Sequence, residues 1–147
     1  ADGDLAGSAC DPDDTVVDYD NDGCADGEEL GSDPASGGRR DPTSPWDFYD
    51  VPAPALRVNP AGTRDKGIGV TTDLVALLAY SGLNSGSGDY VADHDVNGVA
   101  DGIQYDRSPS STFGQAWRSG APDGGIGVTT DVVAMLAQSG HSCAAPP

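Results

Sequence analysis

The sequence is poor in the residues that build a large hydrophobic core. Leu, Ile, Val and Phe together supply only 25 of the 147 residues, and aromatic residues make up 6%. No stretch approaches the ~20 consecutive apolar residues that a membrane-spanning helix requires. With a net charge of −17, so little apolar area is typical of chains that cannot offset their conformational entropy and stay disordered. A further source of stability is needed if the chain is to fold.

Basic residues are also scarce, with 7 Lys and Arg against 24 acidic residues. Such a chain offers no basic patch, which argues against nucleic acid and anionic membranes as partners. The two histidines, His94 and His141, have no Gly-flanked nucleophile nearby and no zinc-type spacing to the cysteines. We therefore expect neither a hydrolase triad nor a zinc site, and no enzymatic activity.

Glutamate is nearly absent: Glu28 and Glu29 are the only two, and the other 22 acidic residues are Asp. Asp has the shorter side chain, which fits tight turns and metal-binding loops. One interpretation is a turn-rich surface protein with 21 glycines. The other, which the spacing of the acidic residues favours, is a chain that folds only when cations neutralise its carboxylates.

The densest acidic run spans residues 18–29 and follows the pattern of a twelve-residue calcium loop. The candidate ligands at its first, third, fifth, seventh, ninth and twelfth positions are Asp18, Asp20, Asp22, the backbone carbonyl of Cys24, Asp26 and Glu29. Gly23 at the sixth position permits a sharp turn, because glycine readily adopts positive φ. Ca²⁺ takes six to eight oxygen ligands at roughly 2.3–2.6 Å, and this spacing wraps oxygens around one point.

Two motifs occur twice along the chain. The acidic loop recurs 75 residues later, and the segment 67–82 recurs, 58 residues on, as 125–140. The candidate ligands of the second acidic loop are Asp93, Asp95, Asn97, the carbonyl of Val99, Asp101 and Gln104. The order is acidic loop, connector and loop-helix, followed by the same order again. Two copies of one unit predict a pseudo-symmetric pair that buries its apolar faces together.

Residues 71–82 and their twin 129–140 carry the strongest helix signal. In each copy Thr-Thr-Asp predicts the N-cap, and Ser-Gly predicts the end of the helix. The expected apolar stripes are Leu74, Leu77 and Leu78 in the first copy and Val132, Met135 and Leu136 in the second. Helices this short are not stable alone in water. We expect them to pack against each other, with backbone contacts between Ile68–Val70 and Ile126–Val128.

The first acidic loop, continued through Leu30-Gly31-Ser32-Asp33-Pro34, resembles those of thrombospondin type 3 repeats. The order Asp50-Val51, Asp65 and Ile68-Gly69-Val70-Thr71-Thr72-Asp73-Leu74 resembles the calcium loop and following helix of dockerins. Dockerins carry two such units in a pseudo-two-fold arrangement and bind cohesin modules outside bacterial cells. The resemblance implies further calcium ligands at Asp50, Asp65 and Asp73 and, in the second copy, at Asp123 and Asp131.

The chain departs from the dockerin pattern in three respects. Residues 53–64 are inserted ahead of Asp65, and Asp73 and Asp131 fall one residue later than the twelfth position. The second copy also has no first-position Asp close by, since Asp106 is far upstream. The alternative interpretation of these two loops is structural, with an Asp that only caps the following helix.

These patterns predict a mainly irregular chain with short α-helices. Its EF-hand-like, dockerin-like calcium loop-helix units are expected to be duplicated in a pseudo-two-fold arrangement. The expected parts are an acidic N-terminal arm (1–17), a first unit of calcium loop, Pro/Gly-rich connector and loop-helix (18–82), a linker (83–92), a second such unit (93–140) and a C-terminal tail (141–147).

The cysteines bear on the setting of the protein. Cys10, Cys24 and Cys143 in a calcium-binding chain predict an oxidising environment and one disulfide, with three pairings open. We expect a secreted or cell-surface protein whose sequence begins after a removed signal peptide. Segments 43–45 and 108–112 are candidates for O-linked glycans.

The expected function is that of a non-catalytic, extracellular, calcium-stabilised structural protein. It would assemble with copies of itself into a fibre or surface layer. The alternative is a dockerin-like adaptor that anchors a secreted enzyme or surface protein to a cohesin-like partner. The order of loops and helices agrees with both.

Overall fold

A computed structural model describes residues 18–56, 59–109 and 118–143. The predictions for the acidic arm 1–17, for Cys10 and for most of the tail 141–147 lie outside the described residues. Residues 110–112 of the second candidate glycan segment also lie outside them.

The described chain is a small mixed structure of short helices and two short hairpins. Its α-helices are α1 (Asp26–Glu29), α2 (Asp73–Tyr80), α3 (Gly88–Val91), α4 (Asp101–Tyr105) and α5 (Val133–Gln138). A 3₁₀ turn covers Pro34–Ser36, and a π-helical turn, Val128–Val132, leads into α5. The antiparallel hairpins are β1 (Ala53–Leu56) with β2 (Asn59–Thr63) and β3 (Ser108–Pro109) with β4 (Ser119–Gly120).

The repeated segments enter their helices in the same way. The amide of Leu74 donates to the carbonyl of Gly69 at 3.1 Å, and the amide of Val132 donates to that of Gly127 at 3.3 Å. Both bonds span five residues, as in a π-turn, which holds one residue more than an α-turn. Asp73 falls one residue later than the twelfth position of the dockerin pattern, and this wide turn accommodates that extra residue.

The start of α2 differs from the expected N-cap, whereas its end is as predicted. Thr72 does not cap the helix; its hydroxyl donates instead to the Asp73 carboxylate at 2.8 Å. After Ser81, Gly82 takes a φ of +88°, and its twin Gly140 takes +85°. Both helices therefore end at the Ser-Gly pair, where glycine permits the left-handed backbone.

The buried face of each repeated helix is offset from the apolar stripe that the sequence predicted. Leu77 is buried as expected, but Leu78 is 48% exposed, and in the second copy Met135 is buried while Leu136 is 48% exposed. The buried residues are Asp73, Ala76, Leu77 and Tyr80 in α2, matched by Asp131, Ala134, Met135 and Gln138 in the second copy. Their spacing of three, four and seven defines one helix face. The face starts at the Asp because that carboxylate turns inward towards the loop.

Each loop pairs with the end of the other unit's helix, rather than with the other loop as we expected. Ile68 exchanges backbone hydrogen bonds with Gly140 and His141 at 2.8 and 2.9 Å. Its twin Ile126 exchanges the equivalent bonds with Gly82 and Leu83, also at 2.8 and 2.9 Å. These two pairs of hydrogen bonds are equivalent in the two copies and connect them to each other.

One core serves both halves of the chain. Tyr80 and Tyr105 stack with their ring centroids 4.2 Å apart, and the core continues through Phe48 and Tyr49 of the connector. The segment 83–92, expected to be a linker, contains α3 and buries Leu83 and Tyr90 in this core. It therefore packs with both units instead of separating them.

Cys24 and Cys143 form a disulfide that closes a sequence separation of 119 residues. Gly37 covers this bond with a φ of +90°, and a Cβ there would lie 2.7 Å from the Cys143 Sγ. Disulfides are typical of oxidising compartments. None of the helices in the described ranges has the length and hydropathy needed to cross a lipid bilayer.

Candidate metal centres

The backbone amides of the first acidic loop donate hydrogen bonds to the loop's own carboxylates. Backbone amides of Gly23, Asp22 and Cys24 donate to Asp18 Oδ2, Asp20 Oδ1 and Asp22 Oδ1 at 3.1, 3.2 and 2.7 Å. Positive φ values at Asn21 (59°) and Gly23 (97°) make the turn tight enough for these contacts. Each of the three aspartates therefore uses one oxygen to shape the loop and keeps the second for another partner.

Several of those second oxygens are buried without a hydrogen bond from any part of the chain that the structure describes; we call these the open oxygens. In the first loop they are Asp18 Oδ1, Asp20 Oδ2, Asp22 Oδ2, Glu28 Oε1 and both Glu29 oxygens. Carboxylate oxygens of Asp18, Asp20 and Asp22 lie within 4.8 Å of one another. Buried carboxylates without partners are strongly unfavourable unless a cation or a proton neutralises them.

The pKa values of these carboxylates reflect their burial close to other negative charges. Burial, followed by the charges of neighbouring carboxylates, raises the pKa of Asp22 to about 8 and that of Glu29 to about 9. Burial also raises the pKa of Asp20 to about 6. Without a cation the loop therefore keeps protons near neutral pH. A bound divalent ion would replace those protons and occupy the open oxygens.

The other predicted ligand residues of the first loop are Asp26, Glu29 and Cys24. Asp26 begins α1 and accepts a hydrogen bond from the amide of Tyr19 at 2.9 Å, which closes the start of the loop. Glu29 ends the same helix and is fully buried. Cys24 occupies the seventh position, and its side chain forms the disulfide. Within the twelve-residue pattern, Glu29 thus lies beside Asp22, whereas Asp26 is bonded to the backbone.

The sequence did not predict Asp47. This residue lies in the Pro/Gly-rich connector and is 1% exposed, and its Oδ1 is another open oxygen. Carboxylate oxygens of Asp47, Asp22 and Glu29 lie within 4.8 Å of one another. No local spacing relates Asp47 to the loop, so only the tertiary structure reveals the contact.

The second acidic loop has the same backbone design. Gly98 donates to Asp93 Oδ2 at 2.8 Å, and His94 donates through its amide to Asp101 at 3.2 Å. These bonds repeat those of Gly23 and Tyr19 in the first loop. The oxygens of Asp93, Asp95 and Asp101 also lie within 4.8 Å of one another.

Its side chains, however, satisfy one another. The Asn97 amide donates to Asp95 at 3.0 Å and to the Gln104 carbonyl oxygen at 3.3 Å. The His94 ring nitrogen lies 2.6 Å from the Asp101 carboxylate. Across the described ranges no open oxygen falls in this loop. Residues 93–99 are exposed, so a cation there would gain less from neutralising charge than one in the first loop.

The dockerin-like loop of the first unit brings Asp50, Asp65 and Asp73 together. The inserted residues form the hairpin β1–β2, which loops out and leaves the two ends of the insertion adjacent. The three carboxylates lie within 4.8 Å of one another, and Asp50 Oδ1 is an open oxygen. Burial, above all, raises the pKa of Asp50 to about 7. This is the second candidate centre.

The equivalent loop of the second unit is closed by hydrogen bonds. Asp106, which seemed too far upstream, takes the place of Asp50 because the hairpin β3–β4 loops out in the same way. Its oxygens accept from the amides of Asp123 and Gly124 at 3.1 and 2.9 Å, and from the Tyr90 hydroxyl at 2.6 Å. Asp131 accepts from backbone amides on both of its oxygens. The shared Tyr-Asp pairs at 49–50 and 105–106 are the signal that could have revealed the equivalence.

Four loops of two types thus differ in how far their carboxylates are already satisfied. The first acidic loop has the largest number of open oxygens, the Asp50 loop has one, and the other two loops have none within the described residues.

No family model, curated protein or solved structure matches this chain. The likeness to thrombospondin type 3 repeats and dockerins therefore rests on the loop residues themselves.

Proposed function

We propose that the chain is a non-catalytic, calcium-stabilised structural protein of the extracellular space or cell surface. The observation that supports this best is the set of open oxygens contributed by Asp18, Asp20, Asp22 and Glu29. Such a set of oxygen ligands suits a hard divalent cation, and Ca²⁺ is the abundant extracellular cation of this kind. The Cys24–Cys143 disulfide agrees with an oxidising setting.

Calcium would supply stability that the small core lacks. A site with a dissociation constant of about 10⁻⁵ M contributes roughly 2.7 kcal/mol in millimolar Ca²⁺. Two such sites would provide a large share of the 5–15 kcal/mol that is typical of folded domains. The first acidic loop and the Asp50 loop are the two candidates, because both have open oxygens.

We further propose that calcium permits the protein to assemble with copies of itself. The pseudo-two-fold pair of helices exposes two matching apolar pairs, Val75 with Leu78 and Val133 with Leu136, each side chain at least 48% exposed. Apolar surface of this kind favours association, whereas a net charge of −17 opposes it. Bound cations reduce that repulsion, so assembly should depend on calcium.

Sedimentation velocity with and without Ca²⁺, together with electron microscopy, tests this assembly. We expect large species or fibres in millimolar Ca²⁺ and monomers in excess chelator. The double variant Leu78→Asp, Leu136→Asp should remain monomeric in Ca²⁺, and Val96→Asp in the exposed second loop is the matched control. A wild-type chain that stays monomeric at high concentration in Ca²⁺ would rule out self-assembly.

The twin apolar pairs also support a second candidate function, an adaptor that presents the two helices to a cohesin-like partner. An adaptor differs from a fibre subunit because it remains monomeric in Ca²⁺ and binds the partner in a one-to-one complex. The same Leu78→Asp, Leu136→Asp variant would abolish that complex without affecting calcium affinity. Titration calorimetry against cohesin modules distinguishes the two functions.

A further inference from the structure

The two carboxylate oxygens of Asp47 differ in their hydrogen bonds. Its Oδ2 accepts from the backbone amide of Asp41 at 2.8 Å and from Arg118 at 3.0 Å. Its Oδ1 is buried and receives no hydrogen bond from the described ranges of the chain. A buried aspartate that serves only to hold Arg118 would gain by satisfying both oxygens. A carboxylate oxygen of Asp47 lies within 4.8 Å of carboxylate oxygens of Asp22 and Glu29.

The distances suit a shared ion. Two oxygens that each lie about 2.4 Å from one Ca²⁺ are at most about 4.8 Å apart. The carboxylate oxygens of Asp22, Glu29 and Asp47 meet this limit, and their side chains are 1%, 0% and 1% exposed. The positive charges of Arg40 and Arg118 lie near these carboxylates and offset part of their mutual repulsion.

We propose that Asp47 is a ligand of the cation held by the first acidic loop, supplied from outside the loop itself. This inference rests on the proposed calcium site. Asp22 belongs to two groups of carboxylates, one with Asp18 and Asp20 and one with Glu29 and Asp47, and so connects Asp47 to the first loop. Carboxylate oxygens from inside and outside the loop are a ligand set that suits Ca²⁺.

Such a ligand would connect the loop to the helix pair. The backbone carbonyl of Asp47 accepts from the Gln138 side chain of α5 at 3.0 Å. Gln138 in turn accepts from the amide of Tyr49 at 3.0 Å. A cation bound by Asp47 therefore fixes the connector against the buried face of α5, and calcium binding at one loop stabilises the whole core.

Terbium luminescence tests this assignment, because the emission lifetimes in H₂O and D₂O count the waters on a bound Tb³⁺. The experiment uses the full chain with Asp50→Asn and Asp93→Asn, which weaken the other candidate centres. Asp47→Ala removes the ligand, so we expect the hydration of Tb³⁺ in the first loop to rise by about one water. Asp41→Asn is the matched control, since it removes a nearby exposed charge and should leave the hydration unchanged.

Calcium titration of Asp47→Asn provides a second measurement that does not depend on the alanine variant folding. The amide keeps an oxygen but loses the charge, so affinity of the first site should fall about tenfold to a hundredfold, whereas Asp41→Asn should change it little. Unchanged Tb³⁺ hydration in Asp47→Ala, or equal affinities in the two Asn variants, would overturn the assignment. If the parent chain binds neither Ca²⁺ nor Tb³⁺ in the first loop, the proposed calcium function itself fails.

Discussion

The hydroxyl of Tyr49 donates a hydrogen bond to the backbone carbonyl of Tyr105 at 2.6 Å, and both side chains are fully buried. Tyr105 in turn donates to the carbonyl of Pro52 at 2.8 Å. Each tyrosine directly precedes the aspartate that begins a dockerin-like loop, Asp50 or Asp106. The two loops therefore position each other, and the order of one half depends on the other.

Loss of this contact should destabilise the fold. Tyr49→Phe removes the donor and leaves the buried carbonyl of Tyr105 without that bond, so we expect a loss of about 1–3 kcal/mol. Tyr80→Phe is the matched control, because the Tyr80 hydroxyl is buried and has no partner among the described residues. That control should be neutral or stabilising. Urea unfolding of the two variants measures the difference, and equal losses would contradict the role of Tyr49.

The two acidic loops should differ in affinity for calcium. Glu29 contributes two open oxygens to the first loop, whereas Gln104 at the equivalent position is neutral and bonded to Asn97. We expect Glu29→Gln to weaken the tightest site about tenfold or more and Gln104→Glu to strengthen the second loop, because charge at the twelfth position sets much of the attraction. Calorimetric Ca²⁺ titration checks both changes. Equal affinity of the two wild-type loops would count against this argument.

Asp50 and Asp106 should respond differently to the same substitution. Asp50→Asn removes a candidate ligand charge, so we expect a stability loss seen mainly in Ca²⁺ and small in chelator. Asp106→Asn turns an acceptor of three hydrogen bonds into a group that also donates, at a cost of about 1–3 kcal/mol in either condition. Thermal melts of both variants with and without Ca²⁺ separate a metal ligand from a hydrogen-bonded structural residue. A calcium-independent effect of Asp50→Asn would show that its loop holds no cation.

The disulfide should support the first acidic loop from its seventh position. The bond between Cys24 and Cys143 closes a separation of 119 residues, for which chain entropy predicts a contribution of about 2–5 kcal/mol. We expect Cys143→Ala to lower the free energy of unfolding by that amount and to weaken calcium binding at the first loop, because Cys24 then moves more freely. Calcium affinity that is unchanged in Cys143→Ala would show that the two features are independent.

The local parts of this structure could be predicted from the sequence. The carboxylates of Asp18, Asp20 and Asp22 lie together because a twelve-residue loop fixes their spacing by short-range backbone geometry. The ends of both repeated helices could also be predicted, since Gly82 and Gly140 supply the left-handed residue that ends them. These features depend on neighbours a few residues apart.

The parts that depend on tertiary contacts could not be predicted from the pattern of any one segment, although comparison of the two Tyr-Asp pairs relates Asp106 to Asp50. Asp47 meets Asp22 and Glu29 only because the connector folds back over the first loop. Asp106 joins its loop because a hairpin carries the intervening residues away from it. Leu78 is exposed because the buried face of α2 begins at Asp73, whose carboxylate bonds to the backbone of the loop. No pattern within a single segment encodes these relationships.

The central claim is that calcium holds this fold together, and a thermal melt followed by far-UV circular dichroism tests it most directly. With two occupied sites in millimolar Ca²⁺, excess chelator should lower the melting temperature by about 15–25 °C and reduce the helical signal. Adding Ca²⁺ back should restore both. A melting curve that is the same in chelator and in Ca²⁺ would contradict the account.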